Sequence, residues 1–248
     1  MLLADPFSWA AWRQATCMPG HCFCEHVAPG LVRQPANAVS SLAFVAVGSW
    51  VLWRAARDRR NGADTRTLTH QPVYSALFGA ACLLIGVGSA FFHASLTFAG
   101  QFVDVFGMYL IATVILLYGL GRGRGISAGR AALGYVGLNA VLALCLYFLP
   151  GTRRYLFAVL ILIAIWTEVA ARRRSASTMA VRWFRWAAGA LAVGFAIWIL
   201  DITRAVCRPE SLLQGHAVWH LLGAGSAACI YLYYRSELRA PAAGAPFA

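Results

Sequence analysis

The stretch GVGSAFFHASLTFAGQFVDVFGM, residues 86–108, decides how this chain is read. It is apolar enough to sit in lipid, yet it carries Ser89, His93 and Asp104. Polar and ionisable side chains at membrane depth are costly, so by default they mark a functional site. A second stretch, QGHAVWH at residues 214–220, answers it near the C-terminus. His216 and His220 are one turn apart on the same helix face, a spacing that metal sites use. The two stretches predict a zinc site of His93, His216 and His220 inside a membrane helix bundle, with Asp104 and Ser89 beside it.

The rest of the chain supports a membrane setting. Residues of the AVILMFWYC set make up 60% of it and charged residues only 12%, where a soluble domain carries roughly 25%. The expected fold is all-α, a polytopic bundle of seven transmembrane helices forming one domain over residues 1–248. The apolar segments run over residues 37–53, 74–92, 102–120, 131–149, 155–167, 183–200 and 215–234, most of them near the ~20 residues a bilayer core demands. The fifth is short and stops near Glu168. The net charge of +12 could suggest nucleic acid, but all 21 basic residues are arginines, most of them in short loops between apolar runs. That is a topology signal and excludes a phosphate-binding face.

Loop arginines orient the chain. Arg54, Arg57, Arg59, Arg60 and Arg66 follow the first segment, Arg122, Arg124 and Arg130 the third, Arg172, Arg173, Arg174 and Arg182 the fifth, and Arg235 and Arg239 the seventh. The other side carries fewer, among them Arg153, Arg154 and Arg204. The positive-inside rule then puts the N-terminus outside and the C-terminus in the cytoplasm, as in a bacterial inner membrane. In that topology His93, Asp104, His216 and His220 all reach the same depth, near the outer leaflet. Residues 1–36 form an extracytoplasmic segment without a cleavable leader, in which Trp9 and Trp12 suggest an interfacial helix. The Ala- and Pro-rich tail, residues 238–248, reads as disordered.

Other polar residues have plainer readings. Ser89 beside Gly86 and Gly88 fits a helix-packing position, Trp219 fits an interfacial anchor, and His21, His26 and His70 fall in loops. Asp201 and Arg204 are spaced for a structural pair. Cys82, Cys145 and Cys229 fall in apolar segments as packing residues. Cys17, Cys22, Cys24 and Cys207 fall in connections that an oxidising compartment could reach.

Zinc suits neutral imidazoles and, in catalytic sites, keeps a fourth position for a water whose pKa falls to about 7. Asp104 is placed to act as general base and then general acid for a leaving amine. Ser89, one turn before His93, could steady that water or an oxyanion. This chemistry points to an amidase whose acyl substrate enters sideways from the lipid.

The run Gly88, Ser89, Phe92, His93, followed by Gln101, Asp104 and Met108, and the closing Gln214, His216, Trp219, His220, resemble the alkaline ceramidase family. That family belongs to the CREST superfamily, which also holds the adiponectin and progestin receptors and haemolysin-III-like proteins. The resemblance implies a zinc-dependent, ceramidase-like amidohydrolase that cuts the linear N-acyl bond of ceramide or a related long-chain lipid, releasing a fatty acid and a sphingoid base. It implies zinc ligation by His93, His216 and His220, acid–base work by Asp104 and oxyanion or water positioning by Ser89. It also implies a disulfide between Cys24 and Cys207. Eukaryotic members hold calcium in an N-terminal acidic segment. Here only Glu25 of residues 23–27 is a carboxylate and Gln34 replaces the later Glu, too few of the oxygens calcium prefers, so no calcium site is expected.

Two rivals stand beside the enzyme. A receptor-like member with vestigial hydrolysis would need neither Asp104 nor Ser89. A transporter would spread charge through the full depth of the bundle, whereas the charges read as clustered at one end. The expected partners are the lipid substrate and the membrane, with no nucleic acid and no obligate protein. The lysine-free composition points to a GC-rich bacterial genome.

Overall fold

The computed structural model describes residues 9–20, 22–60, 67–124, 126–174 and 178–238. Residues 239–248 of the expected disordered tail, His21 and Arg66 lie outside the described residues, as do residues 1–8 of the expected interfacial helix, of which a single 3-10 turn, Trp9–Ala11, is described. In chain order the helices are α1 (Pro35–Ser40), α2 (Leu42–Arg60), α3 (Thr67–His70), α4 (Pro72–Ser95), α5 (Phe98–Arg124), α6 (Ala128–Phe148), α7 (Arg153–Arg174), α8 (Val181–Ile202) and α9 (Gly215–Arg235). Pro35 and Pro72 open α1 and α4, where a missing N–H is harmless. Leu96 turns left-handed (φ 50°) to end α4, and α5 starts two residues later.

Among the described residues, six helical stretches are long and apolar enough to cross a membrane: Pro35–Arg60, Pro72–Ser95, Phe98–Arg122, Ala128–Phe148, Pro150–Arg174 and Val181–Ile202. The fifth is longer than its apolar run predicts. Glu168 reads as the end of a span, but it lies inside α7, fully buried and paired. The seventh expected segment is present as α9, as long as its neighbours at 21 residues, but it is not among the six.

Packing explains how the first polar stretch becomes compact. α4 and α5 lie along each other at very close range. A Cβ on Gly88 would come within 2.8 Å of the Asp104 backbone nitrogen, and one on Gly107 within 2.9 Å of Ile85. Small residues let two membrane helices approach this closely, and the approach sets Ser89 and His93 of α4 against Asp104 of α5. α9 packs on α8 and α2, and α5 on α7, while α7 and α8 meet through the rings of Phe157 and Phe195 (centroids 6.2 Å) and through Arg154 over Trp198.

Charge is not confined to one end, as the sequence suggests. At the far end Arg122 pairs with Glu168 (2.7 Å) and Glu237 (3.3 Å), and all three side chains are buried. The Tyr233 hydroxyl donates to Glu168 (2.5 Å) and that of Tyr118 to Glu237 (2.6 Å). Arg235 forks onto both oxygens of Asp58 (2.5 and 3.0 Å). These partners come from α2, α5, α7, α9 and the segment after it, so the sequence displays them only as isolated loop-side charges.

The N-terminal segment is fastened to the bundle. Cys24 is joined to Cys207, the pairing implied by the family resemblance, and Cys17 to Cys22. Cys82, Cys145 and Cys229 are free. Backbone N–H groups of Ala15, Arg33 and Gln34 donate to the carbonyls of Leu96, Ala94 and His93 (2.9, 3.0 and 3.0 Å) at the end of α4.

Without Glu168, Arg122 keeps Glu237, but an apolar replacement leaves the Tyr233 hydroxyl and an Arg122 N–H without their acceptor, at about 1–3 kcal/mol for each buried unsatisfied group. Glu168→Leu should therefore lower the thermal unfolding temperature of the detergent-solubilised protein far more than Glu168→Gln, which keeps a hydrogen-bonding group facing Arg122 and Tyr233. Equal, small shifts in both variants would show that the network contributes little.

Candidate metal centre and lipid cavity

His93 near the end of α4 and His216 and His220 in the first two turns of α9 meet in the buried interior. One ring nitrogen from each lies within 4.8 Å of the others, so the three could hold a metal ion. The rings are close, with centroids 4.9 Å apart for His93 and His216, 5.1 Å for His93 and His220, and 4.5 Å for His216 and His220.

The hydrogen bonds around the rings decide which nitrogens are available. Gln34 Nε2 donates to the Glu25 carbonyl (3.2 Å), which turns Gln34 Oε1 toward His93 Nδ1 (2.9 Å). An amide oxygen only accepts, so Nδ1 carries the proton and Nε2 keeps its lone pair. That Nε2 is buried and has no hydrogen-bond partner. Ser40 and Ser41 donate their hydroxyl protons to the Asn37 carbonyl (3.0 and 2.8 Å). Toward His220 Nδ1, at 2.9 and 3.3 Å, both oxygens must then accept, and the lone pair again falls on Nε2. His216 is stacked on Phe23 (centroids 3.7 Å), and its Nδ1 is buried without a partner. Neutral imidazoles whose remaining nitrogens are orphaned, as on His93 and His216, or met only by Ser89, as on His220, are the donor set that zinc and similar divalent ions take, and partners that fix each ring from behind are the rule at such sites.

Asp201 and Glu25 hold the frame. Asp201 accepts from the backbone N–H of Cys24 and of His216 (3.0 Å each), tying the N-terminal segment to the start of α9. A carboxylate there also suits the positive end of a helix. Glu25 accepts from the N–H groups of Ala36 and Asn37 (2.7 and 2.9 Å) at the start of α1. Burial pushes the Glu25 carboxyl above its ordinary range, against the pull of those two N–H groups.

Ser89 lies between the two halves of the site. Its oxygen is 3.3 Å from His220 Nε2 and is also within hydrogen-bond reach of the Asp104 carboxyl, and its single proton can serve only one of them at a time. All four residues Ser89, Asp104, His216 and His220 line one cavity of about 180 Å³. From there its wall is apolar: Ile111 and Ile115 of α5, Phe157 and Ile161 of α7, Leu191 and Phe195 of α8, Gly223 and Ala227 of α9. It runs down to Ile230 and Glu168, with residues of both α7 and α8 on its wall.

The structure therefore brings Ser89, His93, Asp104, His216 and His220 to one place. Trp219, read from sequence as an interfacial anchor, is instead buried on the cavity wall against Phe195 and Trp198, because α9 turns that face inward. Sequence reasoning missed Phe23, Ser40, Ser41 and Asp201 as supports for the histidines, and Gln34 was weighed only as a calcium ligand. Their signal was weak, since none lies at a helical spacing from a histidine.

The family model described as Ceramidase matches residues 21–245. No curated protein matches the chain.

Partners that orient a ligating histidine are worth about 10–100-fold in metal affinity. Gln34→Leu, and separately the pair Ser40→Ala and Ser41→Ala, should each weaken metal binding by that order with the helical content unchanged, as read by competition against a chelator. Unaltered affinity in both would mean that the rings are held by packing alone.

Proposed function

The chain belongs to the ceramidase family, and from that premise we propose that it is an intramembrane, zinc-dependent amidase acting on ceramide or a related long-chain N-acyl lipid. In this reading α9 is the seventh span, the N-terminus is outside, the C-terminus is cytoplasmic and the membrane is a bacterial inner membrane. The observation that carries it is the meeting of three buried histidines with Asp104 and Ser89 at the head of a largely apolar cavity. A structural metal site would need neither the carboxylate nor the cavity.

His93, His216 and His220 would hold the metal. When bound, zinc supplies Lewis acidity and makes water nucleophilic at neutral pH. The acyl chain lies in the cavity, which puts the amide carbonyl beside Ser89 and Asp104. Asp104 takes a proton as the water oxygen bonds to the carbonyl carbon. Ser89 Oγ donates toward the carbonyl oxygen as negative charge gathers there. Asp104 returns the proton to the amide nitrogen as the C–N bond breaks, leaving a fatty acid and a free amine. The apolar wall keeps bulk water away from the chain and positions the scissile bond.

The cavity also sets how much chain is accepted. From His220 to Ile230 along α9 is about 15 Å of helix, close to half of the roughly 30 Å hydrocarbon core of a bilayer. In length the cavity thus matches a chain of about one leaflet.

Purified protein should carry about one zinc per chain and hydrolyse long-chain N-acyl lipids. His216→Ala should lose both, and Asp104→Asn should keep the metal while kcat falls by about 10²–10⁴-fold. Metal retained with no turnover of any N-acyl lipid would leave a receptor role, and no metal in the wild type would remove the basis of the reading. Ala164 lines the cavity one helical turn before Glu168, toward its far end, and is buried. Ala164→Phe should depress kcat/KM for long acyl chains while sparing short ones, and a uniform loss across a chain-length series would count against this placement of the chain.

A further inference from the structure

Two charges on the cavity wall have no part in the chemistry above. Arg153 and Arg154, at the start of α7, line the same cavity as Ser89, Asp104, His216 and His220. Arg153 is half-buried. One of its guanidinium nitrogens donates to the Pro150 carbonyl (2.9 Å), and its own carbonyl accepts from the Tyr109 hydroxyl (3.1 Å). Arg154 is exposed and lies over Trp198, with Cζ 5.3 Å from the ring centroid. Trp198 packs in turn on Phe195 and Trp219. The arginines are thus held at the head of the cavity, and among the described residues neither forms an ion pair. The charge of Arg153 reaches Asp104 and that of Arg154 reaches His216.

The balance of charge is unsuited to a neutral lipid. Beside three uncharged imidazoles stand two guanidiniums and one carboxylate, and the start of α7 adds the positive end of a helix dipole. The acyl chain occupies the apolar part of the cavity, so the arginines face the amine side of the amide. Hydrolysis of ceramide would release beside them an amine that becomes a cation, whereas an anion there would be held by charge-assisted hydrogen bonds, bidentate in the case of a carboxylate.

We propose that Arg153 and Arg154 form an anion-binding subsite for the amine side of the substrate. The preferred substrates are then N-acyl lipids whose amine carries an acidic group, with N-acyl amino acids as the simplest class, over neutral ceramide. The claim about substrates rests on the amidase reading, and the subsite itself rests on the cavity wall alone.

Binding tests the subsite without turnover. Metal-stripped protein in neutral detergent is titrated with palmitoyl glycine and with palmitoyl ethanolamide, its uncharged counterpart, following the fluorescence of the cavity tryptophans. The acidic ligand should bind at least about tenfold tighter at low salt, as a hydrogen bond to a charged group warrants. Arg153→Gln with Arg154→Gln should erase that preference and leave the neutral ligand unaffected. Equal affinities in the wild type would overturn the subsite. In the zinc-loaded enzyme, kcat/KM for palmitoyl glycine should exceed that for ceramide of the same acyl chain, and the double variant should reverse the order through KM. If the variant instead lowers both substrates equally, the arginines are anchors for bilayer phosphates and the proposal is wrong. If no N-acyl lipid is cleaved, the amidase reading fails and the binding experiment still decides the subsite.

Discussion

Each histidine of the site takes its orientation from a chain segment that lies outside the long helices or at their edge. Gln34 turns His93, Ser40 and Ser41 hold His220, and Phe23 covers His216 while Asp201 joins Cys24 to the same residue's backbone. Helices place a Cα to within a fraction of an ångström, but they leave the ring of a histidine free to rotate and to choose its tautomer. A metal ion needs a lone pair pointing inward. That requirement passes from α4 and α9 to residues 23–41. It explains why so short a stretch is fastened by a disulfide to the loop after α8, by backbone bonds to the end of α4, and by a carboxylate at the head of α1.

The bundle has two polar ends with an apolar cavity between them, and the ends solve different problems. At the far end the charges are mutually satisfied: Arg122 has two carboxylates, and each of those has a tyrosine. Such a network has one more carboxylate than guanidinium, the two tyrosine hydroxyls answer the surplus acceptors, and it holds α5, α7 and α9 together. At the near end the polar groups are left incomplete. His93 Nε2 and His216 Nδ1 have no partner, and a buried polar atom without one costs about 1–3 kcal/mol. Incompleteness of that kind persists where a ligand completes it.

What the sequence made legible follows from which constraints are local. Apolar runs mark seven long helices, six of them apolar enough to cross a membrane, because burial of apolar side chains acts residue by residue. The spacing of His216 and His220 marks a face because helical geometry is fixed. His93 and Asp104 stood out because they are misplaced in lipid. The supports were hidden because Gln34, Ser40 and Ser41 are unremarkable in a polar connection and act across the fold, through a backbone path no periodicity records. Glu168 was misread for a related reason. Its partner Arg122 lies on another helix, so the charge looked like the end of a span when it was the buried half of an ion pair. The pairing of Cys17 with Cys22 was equally silent, since four cysteines in connecting segments allow several connectivities.

α9 shows why average hydropathy understates a helix of this kind. Hydropathy sums side chains regardless of where they point, and α9 spends its polar residues inward. His216 and His220 face the other histidine, Ser226 donates to the Ala187 carbonyl (2.9 Å), and Tyr233 meets Glu168. Between them, Gly223 sits so close to Phe44 that a Cβ would come within 3.0 Å of its ring. A helix that is flanked on both sides, by α8 and by α1 and α2, has little surface left to satisfy lipid. Its composition is then set by its neighbours, and the element that carries two of the three candidate ligands is for that reason not among the six helical stretches apolar enough to cross a membrane.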